Sequence, residues 1–292
     1  MIARASIACG AIALAATSAP GALDRWLDGE RDRDRLPGSL VEASGLARDD
    51  AGHVWIHDDE RGIVARLADG TGDIAERRVL GPDPVRGDFE GLAWDGRRFH
   101  LVTSTGTLVS FEPGVEEGVV RWSVRRTGAA DVCEVEGLET APGRDALVLA
   151  CKTIHDRRWR GHLLLLEVAL PGEDDALDDA PLPVRPRVAI PSDVLEAAGI
   201  DDPPFPSGVT RAPGDGWLIV DARRRRVLQV SDDGRVVDHA RLPAGHPQAE
   251  GIVLEGPDLL TLADEGDGGR ARITRYARPP NPSTAPFHPE AP

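Results

Sequence analysis

A short phrase centred on a glycine recurs five times along this 292-residue chain. Each copy places Ser or Glu before the glycine and an aliphatic residue after it: EASGL, DFEGL, EVEGL, FPSGV and QAEGI. The glycines follow one another at intervals of 46, 46, 71 and 43 residues, and they are Gly45, Gly91, Gly137, Gly208 and Gly251. A period in the forties indicates a repeat architecture, in which each repeat is one supersecondary unit that stacks on its neighbours.

Each repeat carries a series of short β-type runs separated by turn residues. The run after each glycine phrase is WIHDD, HLVTST, ALVLAC, WLIVDA or LLTLAD, and turn segments such as WDGRR and RAPGDG join the two. A third run follows in every unit and a fourth in the first four units. Four strands in about 40 to 50 residues are typical of a propeller blade. The sequence therefore predicts an all-β, five-bladed β-propeller, with a six-bladed propeller as the alternative.

The fifth unit lacks a fourth strand of its own. After Ala277 the chain reads RPPNPSTAPFHPEAP, and proline cannot donate the hydrogen bonds of a strand ladder. Upstream of the first phrase, RDRDRLPG (31–38) stands in the place that ERRVLG holds before the second phrase. We therefore expect an N-terminal strand to complete the last blade and close the ring. The predicted organisation is one propeller domain over 24–277 and a disordered Pro-rich tail over 278–292.

Residues 1–19 have the three parts of a secretory signal peptide: one Arg, the apolar stretch ASIACGAIALAA, and small residues before Pro20. We therefore expect an exported protein, either periplasmic or secreted. After removal of this leader an even pair of cysteines is left, Cys133 and Cys151, and counting outward from the hairpin turn places them opposite or one step apart. A cross-strand disulfide is predicted, with two buried free thiols as the alternative.

The formal net charge of −15 arises from 49 acidic and 34 basic residues. A surface of this charge repels phosphate backbones, so the composition argues against nucleic acid as a partner. The leader is the only long apolar stretch, and it is too short for a membrane span. We expect a monomer whose partner is a small molecule or a protein ligand.

The interval of 71 residues between the third and fourth glycines indicates an insertion over 171–205. It contains an acidic loop, 171–181, and a predicted helix over 192–199, with Ser192 as its N-cap and Gly199 as its stop. Because the insertion precedes an inner strand, it belongs on the face of the glycine phrases. It either covers one mouth of the ring as a lid or forms a surface loop without a role in the site.

The inner strand of every blade lies beside the propeller axis, so five copies of one position form a ring of side chains. Crowded carboxylates are either protonated or neutralised by a cation, and hard oxygen ligands favour Ca²⁺ over Zn²⁺. We predict one calcium ion near the axis, and its chief ligands are Glu90, Glu136 and Glu250. Further candidate ligands are Ser44, Ser207, Asp58, Asp221 and Asp264. The alternative is that these side chains bond backbone amides and organise the blades.

A second set of side chains at the same mouth is predicted to bind an organic ligand. The segment 151–162 is the one positive cluster on this acidic chain, and it links a second strand to a third. Its cationic side chains suit a phosphate or carboxylate group, but they also suit a turn that pairs with the acidic loop. The predicted ligand-binding residues are Lys152, His155, Arg157, Arg223, Glu42 and Glu134.

The SGL and EGL phrases, with the variants DFEGLAW and VEGLE, resemble those of the SdiA-regulated (YjiK-like) family of exported bacterial proteins over roughly Val41 to Glu265. This resemblance implies a five-bladed propeller with NHL-like repeats and a bound calcium ion. More distantly, the phrases are similar to those of esterase-like phytase domains and calcium-dependent lactonase propellers, which implies hydrolysis.

Three functions follow as hypotheses. The first is an exported calcium-binding propeller that recognises a small molecule or a partner. The second is a calcium-dependent hydrolase of an ester, lactone or phosphoester with its site at the propeller mouth, and the third is a structural scaffold. The sequence contains no GxSxG, Walker, HExxH or dinucleotide-binding pattern, and it singles out no catalytic residue.

Overall fold

Five antiparallel four-stranded sheets make up the fold of the described residues, and each sheet is one blade of a β-propeller. The structure is a computed structural model that describes residues 21–29, 31–114, 120–170, 180–266 and 269–279. The predicted signal peptide, the first part of the predicted insertion and nearly all of the predicted tail lie outside these ranges. Because these ranges hold five sheets of four strands, the five-bladed prediction is confirmed and the six-bladed alternative is wrong.

β1 (Arg31–Arg35), the first strand within the described residues, joins the last blade, whereas the other blades use consecutive strands. Blade one comprises β2 (Ala43–Arg48), β3 (Val54–Asp58), β4 (Ile63–Leu67) and β5 (Ile74–Val79). Blade two comprises β6 (Phe89–Trp94), β7 (Phe99–Thr103), β8 (Thr107–Phe111) and β9 (Trp122–Arg126). Blade three comprises β10 (Cys133–Thr140), β11 (Ala146–Ile154), β12 (Leu163–Ala169) and β13 (Val184–Ile190). Blade four comprises β14 (Gly208–Arg211), β15 (Trp217–Asp221), β16 (Arg226–Val230) and β17 (Val236–Arg241). Blade five comprises β18 (Ala249–Leu254), β19 (Leu259–Asp264), β20 (Arg272–Ala277) and β1.

The burial of a strand follows its place in the blade. All five residues of β3, VWIHD, the second strand of blade one, are buried, because neighbouring blades cover both of its faces. The outermost strand β9, WSVRR, is mostly exposed. Val, Leu, Ile and Ala dominate the buried clusters between adjacent blades, as expected for side chains that pack on pleated surfaces.

The N-terminal strand closes the ring, as predicted. β1 pairs antiparallel with β20 over its whole length and supplies the outer strand of blade five. A helix that the sequence analysis does not predict, α1 (Ala22–Leu27), precedes β1. Its Leu23, Trp26 and Leu27 are buried against blades four and five. The Trp26 indole N–H donates a hydrogen bond to the Tyr276 carbonyl oxygen at 2.9 Å, so the helix and the closing strand are anchored to the same blade.

The glycines of the repeated phrase pack blade against blade around the axis. A methyl group added to Gly91 would lie 2.5 Å from the Leu138 amide nitrogen, and one added to Gly208 would lie 2.2 Å from the Glu250 carbonyl oxygen. The inner strands therefore approach this closely only because these positions have no side chain. The axial cavity that is left has about 10 Å³, close to the smallest space that holds one water molecule. A ligand larger than a water molecule therefore does not fit inside this part of the axis.

Buried His57 holds the glycine phrase of blade one. Its Nε2 accepts a hydrogen bond from the Gly45 N–H at 2.9 Å, and its Nδ1 lies 3.2 Å from the Asp58 carbonyl oxygen. Burial lowers the pKa of His57 to about 4, although the Asp58 carbonyl and carboxylate groups oppose this shift. The fold therefore depends on the neutral imidazole.

Because the fold depends on the neutral imidazole of His57, we expect the protein to lose stability in mild acid. The unfolded chain protonates His57 near pH 6.5 and the folded chain near pH 4, so the folded state binds fewer protons between these values. The free energy of unfolding then falls as the pH falls from 6.5 towards 4, by at most about 1.4 kcal/mol per pH unit. Urea unfolding at pH 7 and pH 5 should show a larger loss for the wild type than for His57→Gln, which keeps an acceptor for Gly45. Equal losses in both proteins would contradict the prediction.

Cys133 and Cys151 form the predicted disulfide, with 5.6 Å between their Cα atoms. The bond links β10 to β11 in blade three, and both residues are buried. The register differs from the predicted one, because Cys151 lies opposite Val135 and Cys133 lies opposite Ile154. Irregularities in β10 displace the ladder, so the two cysteines are diagonal neighbours rather than opposite or one step apart.

The described part of the insertion contains the predicted helix, α2 (Ser192–Ala197). The predicted N-cap is wrong by one residue, because Pro191 holds the N-cap position and Ser192 is the first helical residue. Gly199 follows the helix with φ +83°, as expected of a glycine stop. Leu195 is buried between blades three and four, so the helix covers this junction, and the lid interpretation stays a prediction. In the described ranges no helix is long and apolar enough to cross a membrane.

Candidate metal and ligand site at the propeller mouth

The inner strands begin and the second strands end on one face of the propeller, which we call the mouth. The side chains at or before the start of the inner strands belong to Glu42, Asp88, Glu134, Phe205 and Gln248. The ends of the second strands and the turns after them add Asp59, Lys152, Arg223 and Glu265. Because neighbouring inner strands pack together around the axis, these side chains from different blades surround one opening.

Glu90, Glu136 and Glu250 stand one residue before the glycines of blades two, three and five, and Glu90 and Glu250 line the axial cavity. Burial, together with the charges of Glu136, Asp88 and Glu250, raises the pKa of Glu90 to about 9. Burial raises the pKa of Glu136 to about 7, although Lys152 opposes the shift, and burial also raises the pKa of Glu250. Three acids so placed repel one another, so the mouth holds protons or cations at neutral pH.

The only lysine of the chain lies among these acids. The Lys152 ammonium donates a hydrogen bond to Glu136 Oε1 at 2.6 Å. Burial opposes its charge, but the hydrogen bond to Glu136 and the charges of Glu134 and Glu90 raise the pKa of Lys152 overall. An ammonium group therefore supplies positive charge at the place where the sequence analysis predicts calcium.

Replacing Lys152 with Met should destabilise the protein, because it leaves Glu136 beside Glu90 and Glu250 without its cation. The Glu136 side chain is 6% exposed, but Lys152 is 37% exposed. We therefore expect a loss of about 2 kcal/mol, below the roughly 3 to 5 kcal/mol of a fully buried pair. Urea unfolding at pH 8 measures this loss, with Lys152→Arg as the charge-retaining control. A Met variant as stable as the wild type would show that the pair contributes nothing.

A second acidic group lies where blades one and five meet. One carboxylate oxygen from each of Glu42, Asp59 and Glu265 lies within 4.8 Å of the other two. We call these three residues the blade one–five corner. Two backbone hydrogen bonds hold this corner together. The Asp59 N–H donates to the Glu42 carbonyl oxygen at 2.9 Å, and the Gly266 N–H donates to the Val41 carbonyl oxygen at 3.0 Å.

Crowding at this corner disfavours ionisation. Burial and the charges of Glu42 and Asp58 raise the pKa of Asp59 to about 7. Burial, a hydrogen bond with Glu42 and the charge of Glu250 raise the pKa of Glu265 to about 8. Asp59 Oδ1 is also buried, and it has no hydrogen-bond partner among the described residues. The corner thus combines clustered oxygens with an unused acceptor, which are properties of a cation site.

The spacing of the corner fits a calcium ion. Ca²⁺ binds six to eight oxygens at about 2.3 to 2.6 Å, so its ligand oxygens lie within about 5 Å of one another. Glu42, Asp59 and Glu265 meet this condition, and water or carbonyl groups are the usual remaining ligands. The Gln248 amide joins the corner to the axis, because its Nε2 donates to Glu250 Oε1 at 3.0 Å and also to Glu265 Oε2.

Three acids that the sequence analysis names as calcium ligands have protein partners. All three are buried at the ends of second strands. The partners are Arg61 for Asp58, Arg226 for Asp221 and His246 for Asp264. Arg61 and Arg226 follow the same strands in sequence, whereas His246 precedes β18. A metal-binding role for these three acids stays a prediction.

The two predicted serine ligands are also buried, Ser44 at 1% and Ser207 at 6% exposure. The Ser207 hydroxyl donates to the Ala249 carbonyl oxygen at 2.8 Å and accepts the Ala222 N–H at 3.1 Å. It therefore ties blade four to blade five. A metal-binding role for either serine stays a prediction.

The structure distributes the six predicted ligand-binding residues over four places. Glu42 belongs to the blade one–five corner, and Glu134 and Lys152 lie at the axis. The side chains of His155 and Arg157 are exposed on the connection after β11. Arg223 lies in the turn after β15, and its guanidinium carbon is 4.6 Å from the centroid of the Phe205 ring.

No protein-family model matches the chain, and no curated protein matches it. Among solved structures, glutaminyl cyclase from Myxococcus xanthus is similar, with 17% identity and a TM-score of 0.52 over 84% of this chain and 94% of that chain. A luciferin-regenerating enzyme has 11% identity and a TM-score of 0.48 over 85% of this chain and 95% of that chain. The PQQ-bound aldose sugar dehydrogenase from Streptomyces coelicolor has 12% identity and a TM-score of 0.48 over 85% of this chain and 98% of that chain. The likeness at these identities shows the propeller fold alone, and the resemblance to the SdiA-regulated family rests on the repeated phrases.

Proposed function

We propose that the protein is an exported, calcium-binding β-propeller that recognises a small molecule or a partner at its mouth. The observation that carries this proposal is the blade one–five corner, in which Glu42, Asp59 and Glu265 bring carboxylate oxygens within 4.8 Å of one another. A bound calcium ion would neutralise acids that otherwise repel each other. The disulfide between Cys133 and Cys151 supports export, because disulfides persist in oxidising compartments.

The proposal assigns calcium to this corner rather than to Glu90, Glu136 and Glu250. The Lys152 ammonium lies 2.6 Å from Glu136, and it would repel a second cation at the axis. Gln248 bonds to both acidic groups, so a metal at the corner still affects the axial acids. When bound, the ion supplies a Lewis acid with coordination positions for an oxygen of the ligand.

Glu90 favours a second candidate function, a calcium-dependent hydrolase of an ester, lactone or phosphoester. Burial and neighbouring acids raise the pKa of Glu90 to about 9, so this carboxyl group is protonated at pH 7. A protonated carboxyl group at a ligand site can act as a general acid. This observation supports hydrolysis less directly than the corner supports calcium binding, because it identifies no nucleophile.

Thermal unfolding of the mature domain tests the proposal. We expect calcium, but not magnesium, to raise the unfolding midpoint of metal-free protein, by roughly 5 to 10 °C at 100 times the dissociation constant. A panel of ester, lactone and phosphoester substrates then separates the two candidates. Calcium-dependent turnover would establish the hydrolase, and calcium stabilisation without turnover would support the binding module. No response to calcium would overturn both.

A further inference from the structure

Blade four breaks the acidic pattern of the mouth. The residues that lead into the other four inner strands are Glu42, Asp88, Glu134 and Gln248, but blade four has Phe205 at this position. The turn after its second strand and the first residue of β16 read ARRRR (222–226), where blades one and five carry acids. A protein of net charge −15 therefore places four consecutive arginines on one edge of its mouth.

Two of these arginines stack on the aromatic ring. The guanidinium carbons of Arg223 and Arg224 each lie 4.6 Å from the centroid of Phe205. Stacking uses the flat face of a guanidinium group and leaves its N–H edge free for hydrogen bonds. This edge is the part of arginine that binds carboxylate and phosphate groups.

Protein acceptors do not satisfy this pair within the described part of the chain. Arg223 is exposed and forms no hydrogen bond or ion pair there. Arg224 Nε and Nη1 are buried and have no hydrogen-bond partner, although the side chain is 20% exposed, and Nε lies 3.9 Å from an Asp202 carboxylate oxygen. Each of the next two arginines has a protein acceptor: Arg225 Nη2 donates to the Pro243 carbonyl oxygen, although Arg225 Nε has no partner, and Arg226 donates to Asp221. Two like charges are thus held on one ring without a close counter-ion.

The backbone holds the pair at the edge of the mouth. Asp221 accepts the Phe205 N–H at 3.1 Å and the Arg224 N–H at 3.0 Å, so it locks the ring and the turn together. The Ala222 N–H donates to the Ser207 hydroxyl, and Ser207 begins the inner strand beside the axis. The backbone that carries the ring and the two arginines is therefore fixed before any ligand arrives, which lowers the entropy cost of binding.

We propose that Arg223, Arg224 and Phe205 form a site for an anionic group, a carboxylate or a phosphate, of the small molecule that the mouth binds. The inference rests on the mouth being the binding site, as proposed above, and it adds the chemical class of the ligand. The anionic group binds the guanidinium edges on blade four.

Titration calorimetry with inorganic phosphate and with succinate tests this site. The protein is freed of metal on a chelating resin, and ionic strength is kept constant with chloride. We expect saturable binding of at least one anion to the wild type and a loss of roughly tenfold in affinity for Arg223→Ala. Phe205→Leu removes the stacking platform and should also weaken binding. Arg235→Ala is the matched control, because Arg235 pairs with Asp233 in the turn at the opposite end of blade four.

Equal affinities of the wild type and Arg223→Ala would overturn this inference, as would the absence of saturable binding of both anions. Stronger binding of phosphate would identify a phosphorylated ligand, and stronger binding of succinate a carboxylic acid. Because the titration is free of metal, its outcome does not depend on calcium. Protein that binds calcium but neither anion contradicts the arginine site alone, and protein that binds an anion but no calcium contradicts the metal proposal alone.

Discussion

Deletion of residues 24–40 is expected to abolish the cooperative unfolding transition of the propeller. The deletion removes β1, so β20 loses its ladder partner and blade five is left without its outer strand. It also removes Trp26, Leu27, Leu36 and Leu40, none more than 3% exposed. Each buried side chain of this size contributes about 1.5 to 3 kcal/mol, against a total stability of about 5 to 15 kcal/mol. The expected loss is therefore comparable with the whole stability of the domain.

Circular dichroism during urea unfolding measures this effect. A single substitution in the same segment gives a smaller effect. Trp26→Ala should lower the free energy of unfolding by about 3 to 5 kcal/mol, because the Trp26 side chain is 3% exposed. Trp122→Ala is the matched control, since Trp122 is 41% exposed and its loss should stay within about 0.5 kcal/mol. A truncated protein with the unfolding curve of the wild type would refute closure by the N-terminal segment.

Loss of the disulfide between Cys133 and Cys151 is expected to destabilise the protein by about 3 kcal/mol. The two residues are 18 apart in sequence, and a closed loop of this length restricts the unfolded chain by about that amount. For a domain of this size the unfolding midpoint should fall by roughly 6 to 12 °C. The double variant Cys133→Ala/Cys151→Ala checks the expectation by calorimetry.

Wild-type protein unfolded in urea with a reducing agent is the control for this variant, because it loses the bond without a change in side-chain volume in the folded state. Mass spectrometry of unreduced protein should find no free thiol at either position. Equal stability with and without reducing agent would mean that the bond does not restrict the unfolded chain.

The fold could be predicted because its determinants are repeated. Five copies of one glycine phrase fix the number of blades, and the absence of a side chain at Gly91 or Gly208 is what lets neighbouring inner strands pack. The closing strand was predictable only from its position, since RDRDR has none of the apolar residues typical of strands. Helix α1 was missed because it has six residues and no side-chain N-cap, and its stability comes from contacts with blades that are distant in sequence.

The candidate site was less predictable, because a shift of one position along a strand turns a side chain to the opposite face. The repeat aligns Asp58 with Asp264 at the ends of second strands, and these acids turn inward to Arg61 and His246. The next residues, Asp59 and Glu265, lie at the mouth, as alternation along a strand requires. They are equivalent positions in blades one and five, and this equivalence was the signal available in the sequence. Their closeness depends on ring closure, which places blade one beside blade five.

Calorimetric titration of calcium into metal-free protein tests the account most directly. The wild type should bind one calcium ion per chain, and Glu265→Gln should weaken this binding by at least tenfold, because it removes a charged ligand from the blade one–five corner. Glu60→Gln, which removes an exposed charge next to Asp59, should bind calcium as the wild type does. No calcium binding by the wild type, or equal affinities of the wild type and Glu265→Gln, would contradict the account.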